Sequence, residues 1–343
     1  MIPEDHRRGR QRGELTVATI ARLAGVSTST VSKVLNGRPA VAAETRRRVD
    51  ALLREHGYRR PAAVAPVSCV EVVFYGLESH LAIEIMRGVE QSTSRHELAV
   101  GFTDALRASA DRPWVEQLLA RRPTGVITVS SACTPRQHAQ LAASAIPLVA
   151  LDPTGEPQHS IPSVGATNWN GGIAATRHLL GLGHRRIAVI TGPTGYLCAK
   201  ARLDGCRAAM ESAGVPLDDQ LVRTGLFVFE SGRDLGRELL ALPRPPTAVV
   251  CGNDLQALGV YEAARQAGLR IPEQLSVVGF DDMEFTRWCG PPLTTVRQPF
   301  QEMGTAAADL VLTLAAGLTP PQTRIELATS LVVRASTGPP AHR

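Results

Sequence analysis

The chain of 343 residues lacks several features, and each absence excludes a class of function. No apolar run reaches the ~20 residues of a membrane-spanning helix, and the start, Met1-Ile-Pro-Glu-Asp-His-Arg-Arg, has no signal-peptide apolar stretch, so a cytoplasmic protein is expected. The six cysteines, Cys69, Cys133, Cys198, Cys206, Cys251 and Cys289, form no C-x-x-C pair and no metal-ligand spacing, and read as reduced, mostly buried thiols. His80, His159 and His184 have no partner at ligand spacing, so no metal is expected, and His184, after a helix-ending Gly, reads as structural. The first β-type run leads into Tyr75-Gly-Leu-Glu-Ser-His80, with no Gly-x-Gly-x-x-Gly behind it, and no P-loop, G-x-S-x-G or H-E-x-x-H occurs. Gly171-Gly172 and Gly181-Leu-Gly183 read instead as a helix start and a helix stop. Nothing here points to an enzyme, and no cofactor is expected. Lysine is nearly missing too: of 37 Lys+Arg only Lys33 and Lys200 are Lys, a bias that carries no specificity signal.

What is present begins at residue 15. Thr16 is placed to cap a helix whose apolar positions Val17, Ile20, Ala21 and Ala24 share one stripe, and Gly25 stops it. Ser27 is placed to cap a second helix with Val26, Val31, Val34 and Leu35 inward and Thr28, Ser29 and Lys33 on the open side. Such a pair docks its second helix in a major groove. There Thr28 and Ser29 suit base edges, Thr30 offers a methyl or a phosphate contact, and Lys33 reaches a guanine or the backbone. The alternative is an ordinary helical hairpin with solvated polar residues. A third helix is expected from Ala43 to His56 through Val49, Leu52 and Leu53, ended by Gly57. Residues 1–61 carry 13 Lys+Arg against six acids, a net +7, while residues 62–343 carry −2. A basic head on a nearly neutral body is what phosphate neutralisation asks for.

From Cys69 onward β-branched runs alternate with amphipathic helical stretches. Strands are expected at 70–74, 125–129, 147–151, 186–190, 248–250 and 275–280, with helices at 80–95, 135–144, 170–182, 199–213, 231–241 and 254–267. That alternation implies parallel sheets covered on both faces, which bind ligands at the carboxyl ends of their strands. Isolated polar residues stand there: Asp152, Asn253-Asp254 and Asp281-Asp282. Asp254 and Asp282 read as helix caps, leaving Asn253 and Asp281 as the better ligand contacts. With Arg202 and Phe227 they make a constellation able to bracket a sugar ring.

The motif Ile20-Ala-x-x-Ala-Gly-Val-Ser-x-x-Thr-Val-Ser-x-Val-Leu-Asn36, followed by Thr45-Arg46 and Gly57-Tyr58, resembles the head of the lac-repressor/galactose-repressor (LacI/GalR) family. The body resembles it too, at Leu180-x-x-Gly-His-Arg-Arg-Ile-Ala188, Gly252-Asn-Asp254, Ile271-Pro-Glu-x-Leu-Ser-Val-Val-Gly-Phe-Asp-Asp282 and Pro291-Pro-Leu-Thr-Thr295. The implied fold is an N-terminal all-α helix-turn-helix head plus an α/β periplasmic-binding-protein-like core of two doubly wound parallel-sheet subdomains.

By that resemblance Thr28, Ser29 and Lys33 read bases, and Thr16, Thr30, Ser32 and Asn36 hold phosphates. The effector pocket lies in a cleft lined by Leu81, Asp152, Arg202, Phe227, Asn253 and Asp281. Leu81 and Ala82 stand where relatives often have aromatics, and Trp169 or Trp288 is the candidate substitute. The expected domains are a disordered basic arm (1–14), the head (15–61), a hinge (62–68) and an effector-binding and dimerisation domain (69–343). That domain divides into about 69–162 with 296–320 and about 163–295 with 321–338, so the chain crosses near Ser163, Val296 and Pro320.

Two departures from the family stand out. Ala42 replaces a capping Ser or Thr, which weakens the start of the third helix by roughly 1 kcal/mol. The hinge Arg59-Arg-Pro-Ala-Ala-Val-Ala-Pro66 has no Leu wedge, leaving Val64 as the apolar candidate. The implied function is a DNA-binding regulator, by prior a repressor, whose homodimer grips a palindromic operator in double-stranded DNA. A small-molecule effector, expected to be a sugar, shifts that grip. Helix 80–95 is expected to form part of the dimer surface, and the absence of a terminal Leu heptad argues for dimers and not tetramers. The other readings are a regulator of nucleobase or nucleoside response, and a sugar-binding protein without DNA binding.

Overall fold

A computed structural model describes residues 17–35, 41–55, 68–75, 81–107, 113–130, 133–153 and 161–341. The chain divides into two units, Met1–Val67 and Ser68–Arg343. The basic arm, Thr16, Asn36, Gly57-Tyr58 and the hinge with Val64 lie outside the described residues, as do His80 and His159.

In the first unit, α1 (Val17–Ala24), α2 (Thr28–Leu35) and α3 (Ala43–Glu55) bury Ile20, Ala21, Ala24, Val31, Val34 and Val49 in one small core. Ser27 starts α2 as its spacing predicts: its Oγ accepts the Thr30 N–H at 3.2 Å. Gly25 holds φ +62°, a left-handed turn that costs an L side chain about 1–2 kcal/mol. The tight turn between α1 and α2 follows from that residue.

The second unit holds two six-stranded sheets. The first contains β1 (Cys69–Phe74), β2 (Ala99–Asp104), β3 (Gly125–Val129), β4 (Leu148–Leu151), β5 (Ser163–Ala166) and, from late in the chain, β11 (Arg324–Leu327). Its order is β11-β5-β4-β3-β1-β2, and every recorded pairing is parallel. The second contains β6 (Ile187–Thr191), β7 (Val222–Thr224), β8 (Ala248–Cys251), β9 (Ser276–Asp281), β10 (Thr294–Arg297) and β12 (Ser330–Val332), in the order β12-β10-β9-β8-β6-β7. Only the β12 edge is antiparallel among these pairings.

Helices α4 (Leu81–Thr93), α5 (Trp114–Arg121), α6 (Pro135–Ala143) and α11 (Phe300–Ala315) belong with the first sheet. Helices α7 (Asn168–Gly181), α8 (Leu197–Ser212), α9 (Phe229–Leu240) and α10 (Asp254–Gln266) belong with the second. Core clusters fill both faces of each sheet, which is why β4 and β8 read as unbroken apolar runs and β3 and β6 as apolar runs with one Thr each, without polar alternation.

Two expectations are corrected here. The crossings between subdomains lie after 166 and after 297, near the expected Ser163 and Val296, and after 327, later than the expected position near Pro320, because β11 pairs with β5 in the first sheet. Gly171-Gly172 does not start a helix: it lies inside α7, where a Cβ on Gly172 would overlap the Arg202 carbonyl oxygen. Gly172, with Gly205 of α8 against the Trp169 carbonyl, allows α7 and α8 to cross closely, while Gly171 makes room for Phe280 of β9. Gly183, at φ +101°, does follow the end of α7 as expected. His184 is structural: its Nδ1 lies 2.9 Å from the Thr247 hydroxyl and its Nε2 2.9 Å from the Gly338 carbonyl. Among the described residues no cluster of His, Cys, Asp and Glu is arranged to hold a metal, and no helix is long and apolar enough to cross a membrane.

Candidate functional site

Parallel strands deliver their carboxyl ends to one edge of a sheet, and the two sheets turn those edges towards a shared cavity of about 590 Å³. Phe74 ends β1 and Tyr75 follows it, Asp104 ends β2, Ser130 follows β3 and Asp152 follows β4. From the second sheet come Asn253 after β8 and Asp281 at the end of β9. The backbone there is strained: Ser130 (φ +45°), Asp152 (φ +47°) and Asp281 (φ +114°) are non-glycine residues at positive φ. Each such residue costs on the order of 1–3 kcal/mol, and such outliers collect at binding sites.

Arg202, 7% exposed in α8, is the centre of the polar wall. Its Nε donates to Asn168 Oδ1 at 2.8 Å, its Nη1 donates to the Gly252 carbonyl at 2.6 Å, and Nη1 stands 3.8 Å from Asp281 Oδ1. The guanidinium also lies 3.8 Å from the Phe280 ring centroid, a cation–π contact that holds it in place. Asp281 Oδ1 accepts from Gln298 Nε2 at 2.7 Å. Burial pushes the Asp281 carboxyl up to about 6, with nearby Asp152 adding to the push while Arg202 and Gln298 oppose it. Burial likewise raises Asp152, against Arg202 and Ser130. Cys198, pushed up to about 12 mainly by burial, is held as an inert thiol.

The apolar wall is built from Phe227, whose ring meets Tyr196 edge-on at 6.0 Å. Phe227 fits because glycines follow β6 and β8: a Cβ on Gly192 would overlap its Cζ, and one on Gly252 would lie 2.9 Å from its Cε1. Gln256, fully buried, fixes the same region. Its Nε2 donates to the Leu226 carbonyl at 2.8 Å, and its Oε1 accepts the Gly252 N–H at 2.9 Å.

Leu81, Asp152, Arg202, Phe227, Asn253 and Asp281, all read from the sequence, line this one cavity. The division of labour among the neighbouring acids is corrected. Asn253 is the helix cap: its Oδ1 accepts the Gln256 N–H at 2.9 Å and its Nδ2 donates to the Phe227 carbonyl. Asp254 caps nothing; it accepts the Met283 N–H at 2.8 Å and the Thr295 hydroxyl, tying α10 to the segment that follows β9 and to β10. Asp282 pairs with Arg297 at 2.7 Å and with Arg334. The expected stacking surfaces are corrected too, since neither Trp169 nor Trp288 lines this cavity. Tyr75, Tyr196, Ser130 and Gln298 do, and none of them was singled out in the sequence. Ser130 could have been, being the polar residue that follows β3 as Asp152 follows β4.

In the first unit, Thr28, Ser29, Ser32 and Lys33 are exposed on the face of α2 opposite Val31 and Val34, and Thr30 is half-buried. The Ser29 and Thr30 hydroxyls lie 2.8 and 2.9 Å from Ser27 Oγ.

A model of bacterial regulatory proteins of the lacI family matches residues 16–61, and a model of the periplasmic binding protein-like domain matches residues 176–337. The ribose operon repressor of Escherichia coli (strain K12) is 35% identical over 335 residues, covering 94% of this chain and 99% of that protein. The chain belongs to the LacI family. As a member of it, the protein is a DNA-binding transcriptional regulator with a helix-turn-helix head and two periplasmic-binding-protein-like subdomains. Solved structures of similar LacI-fold proteins include a transcriptional regulator CelR–cellobiose complex, with TM-score 0.70, 31% identity and coverage of 94% of this chain and 100% of that one. Another is a lac repressor dimer bound to operator and the anti-inducer ONPF, with TM-score 0.69, 29% identity and coverage of 94% and 99%.

Proposed function

We propose that the protein is a repressor whose cleft binds a neutral sugar and whose operator affinity changes with that occupancy. The observation that carries this is the chemistry of the 590 Å³ cavity, which lies within the usual range for a small-molecule site. Its charged lining is three carboxylates, Asp104, Asp152 and Asp281, against two guanidiniums, Arg107 and Arg202. With no surplus of positive charge, and with Arg202 already donating to Asn168 and Gly252, the site disfavours phosphorylated ligands. Carboxylate oxygens that accept hydroxyl donors, beside the flat face of Phe227, suit a polyhydroxylated ring. The names of two similar proteins point the same way, one a ribose operon repressor and one a complex with cellobiose.

On the DNA side we assign Thr28, Ser29 and Lys33 to base edges and Thr16, Thr30, Ser32 and Asn36 to phosphates, with Val64 as the hinge contact. The working species is a homodimer on a palindromic operator, as the lac repressor dimer on its operator suggests. Calorimetry of the full chain against neutral sugars, sugar phosphates and purines tests the effector class. Anisotropy on selected inverted-repeat DNA with and without each binder tests the response. Binding of a sugar phosphate or purine in preference to every neutral sugar would refute the effector reading.

A further inference from the structure

A second cavity, of about 340 Å³, adjoins the first. Asp152 and Cys198 line both, so a carboxylate and a thiol stand between two lobes of one cleft. The second lobe opens at the β5–β11 edge of the first sheet. In that register Ser163 pairs with Arg324 and Gly165 with Glu326. Parallel partners share a face, and the alternate residues Val164, Ala166, Ile325 and Leu327 point to the other face, into the core. The remaining face of the edge carries the polar residues Ser163, Arg324 and Glu326, with Ala166 and Ile325 also bordering the lobe. Gly165 leaves space above it, since a Cβ built there meets nothing within 4 Å.

Trp169 lines the facing wall from the first turn of α7, with Asn170 beside it. The indole is 47% exposed and joins none of the hydrophobic clusters among the described residues. A large aromatic left outside the core, with an amide beside it and a carboxylate on the facing strand edge, is the pairing a sugar ring needs. Its C–H face packs on the indole, and its rim of hydroxyls meets Glu326 and Asn170.

We propose that this second lobe is a subsite for the outer ring of an oligosaccharide whose inner ring occupies the main cavity, with Asp152 accepting hydroxyls between the two. The inference rests on the sugar reading of the main cavity and narrows it from any neutral sugar to a chain of at least two rings.

The test is calorimetry on the full chain with matched probes: xylose against xylobiose, glucose against cellobiose and maltose, galactose against lactose. For at least one pair the two-ring sugar should bind about tenfold more tightly than its monomer, the gain from one stacking surface and a hydrogen bond. Gly165→Leu, which fills the lobe from an unstrained position, should bring the two-ring sugar to the affinity of the monomer while leaving monomer binding within about twofold. Trp169→Ala should do the same by a different route, and retained monomer binding certifies that each variant is folded. In the wild-type chain the two-ring sugar, unlike the monomer, should shift indole emission, and Trp169→Phe should abolish that shift. Monomers binding as tightly as their dimers, or dimer affinity unmoved in both variants, overturns the second lobe and leaves the sugar reading standing. No binding by any of these sugars overturns both.

Discussion

Replacing Asp281 by Asn probes the electrostatic cost built into the cleft. The carboxyl sits at about 6 against an ordinary 3.8, because it is buried beside Asp152 and its ion pair with Arg202 at 3.8 Å compensates only in part. Between those two pH values the folded protein holds a proton that the unfolded chain has released, so stability falls as pH rises from about 4 to about 6. Above pH 6 the full deficit remains, about 3 kcal/mol. Asparagine carries no charge to desolvate and keeps an oxygen for Gln298 Nε2, which donates at 2.7 Å in the native protein. Arg202 loses an ion pair but retains Asn168 and Gly252. At pH 8 Asp281→Asn should therefore melt higher than wild type by up to about 6 °C. At pH 4.5 the advantage should shrink to roughly a third, because wild type is then mostly protonated as well. Sugar binding should fall in the same variant, since the acceptor charge is gone. Thermal denaturation of both proteins at the two pH values reads the difference. A D281N variant less stable than wild type at pH 8, or an advantage that does not change with pH, would refute the claim that this carboxylate is held at a cost.

Lys33→Ala should weaken operator binding by about 1–3 kcal/mol with relaxed preference at one base position if Lys33 reads a base, and should reduce the salt slope by about one if it meets only phosphate. Anisotropy titrations at several salt concentrations distinguish the two. Ser27→Ala removes the acceptor of the Thr30 N–H and should cost the head about 1 kcal/mol, read as lower hydrogen-exchange protection in α2 with the sheets unaffected. Gly172→Ala drives a Cβ into the Arg202 carbonyl and forces α7 from α8, so it should destabilise the protein by about 1–3 kcal/mol and weaken sugar binding with it, read by thermal denaturation and calorimetry.

Much of the fold could be read from the sequence because helices and buried strands write different periods. The β3 segment Gly125–Val129 was legible to the residue, since a run of Val, Ile and Thr bounded by turns has few other uses. The peripheral strands were not. β2 mixes exposed and half-buried positions around one buried Thr103, β11 alternates exposed and half-buried positions, and β5 contains a glycine, so none of the three forms an apolar run. α11 was also missed, although it packs Met303, Ala307 and Val311 against the first sheet; its return from the second subdomain is a matter of topology, which no local pattern records. At the site, Asp152 and Asp281 were legible because strand ends point at the cleft. The roles of Asn253 and Asp254 were exchanged because capping depends on which of two adjacent side chains turns back to the helix, a choice made by φ and ψ. Gln298 and Tyr196 sit in connecting segments whose position is set entirely by tertiary packing.

The placement of Gln298 joins the site to the joints of the molecule. The first and third crossings are bonded together: Thr167 N–H donates to the Leu327 carbonyl at 2.9 Å and Thr329 N–H donates to the Thr167 hydroxyl at 3.0 Å. The next residue, Asn168, accepts from Arg202; Arg202 stands against Asp281; and Asp281 accepts from Gln298, which lies on the second crossing. All three crossings are thus tied through one guanidinium and one carboxylate that face the cleft. Gln298 Oε1 is buried with no partner among the described residues, which costs on the order of 1–3 kcal/mol. A ligand hydroxyl donated to that oxygen recovers the cost only in geometries that hold the second crossing within hydrogen-bond reach. A ligand shifts a conformational equilibrium by no more than its differential affinity for the two states, and under the effector function proposed above this oxygen is a place where that difference would arise.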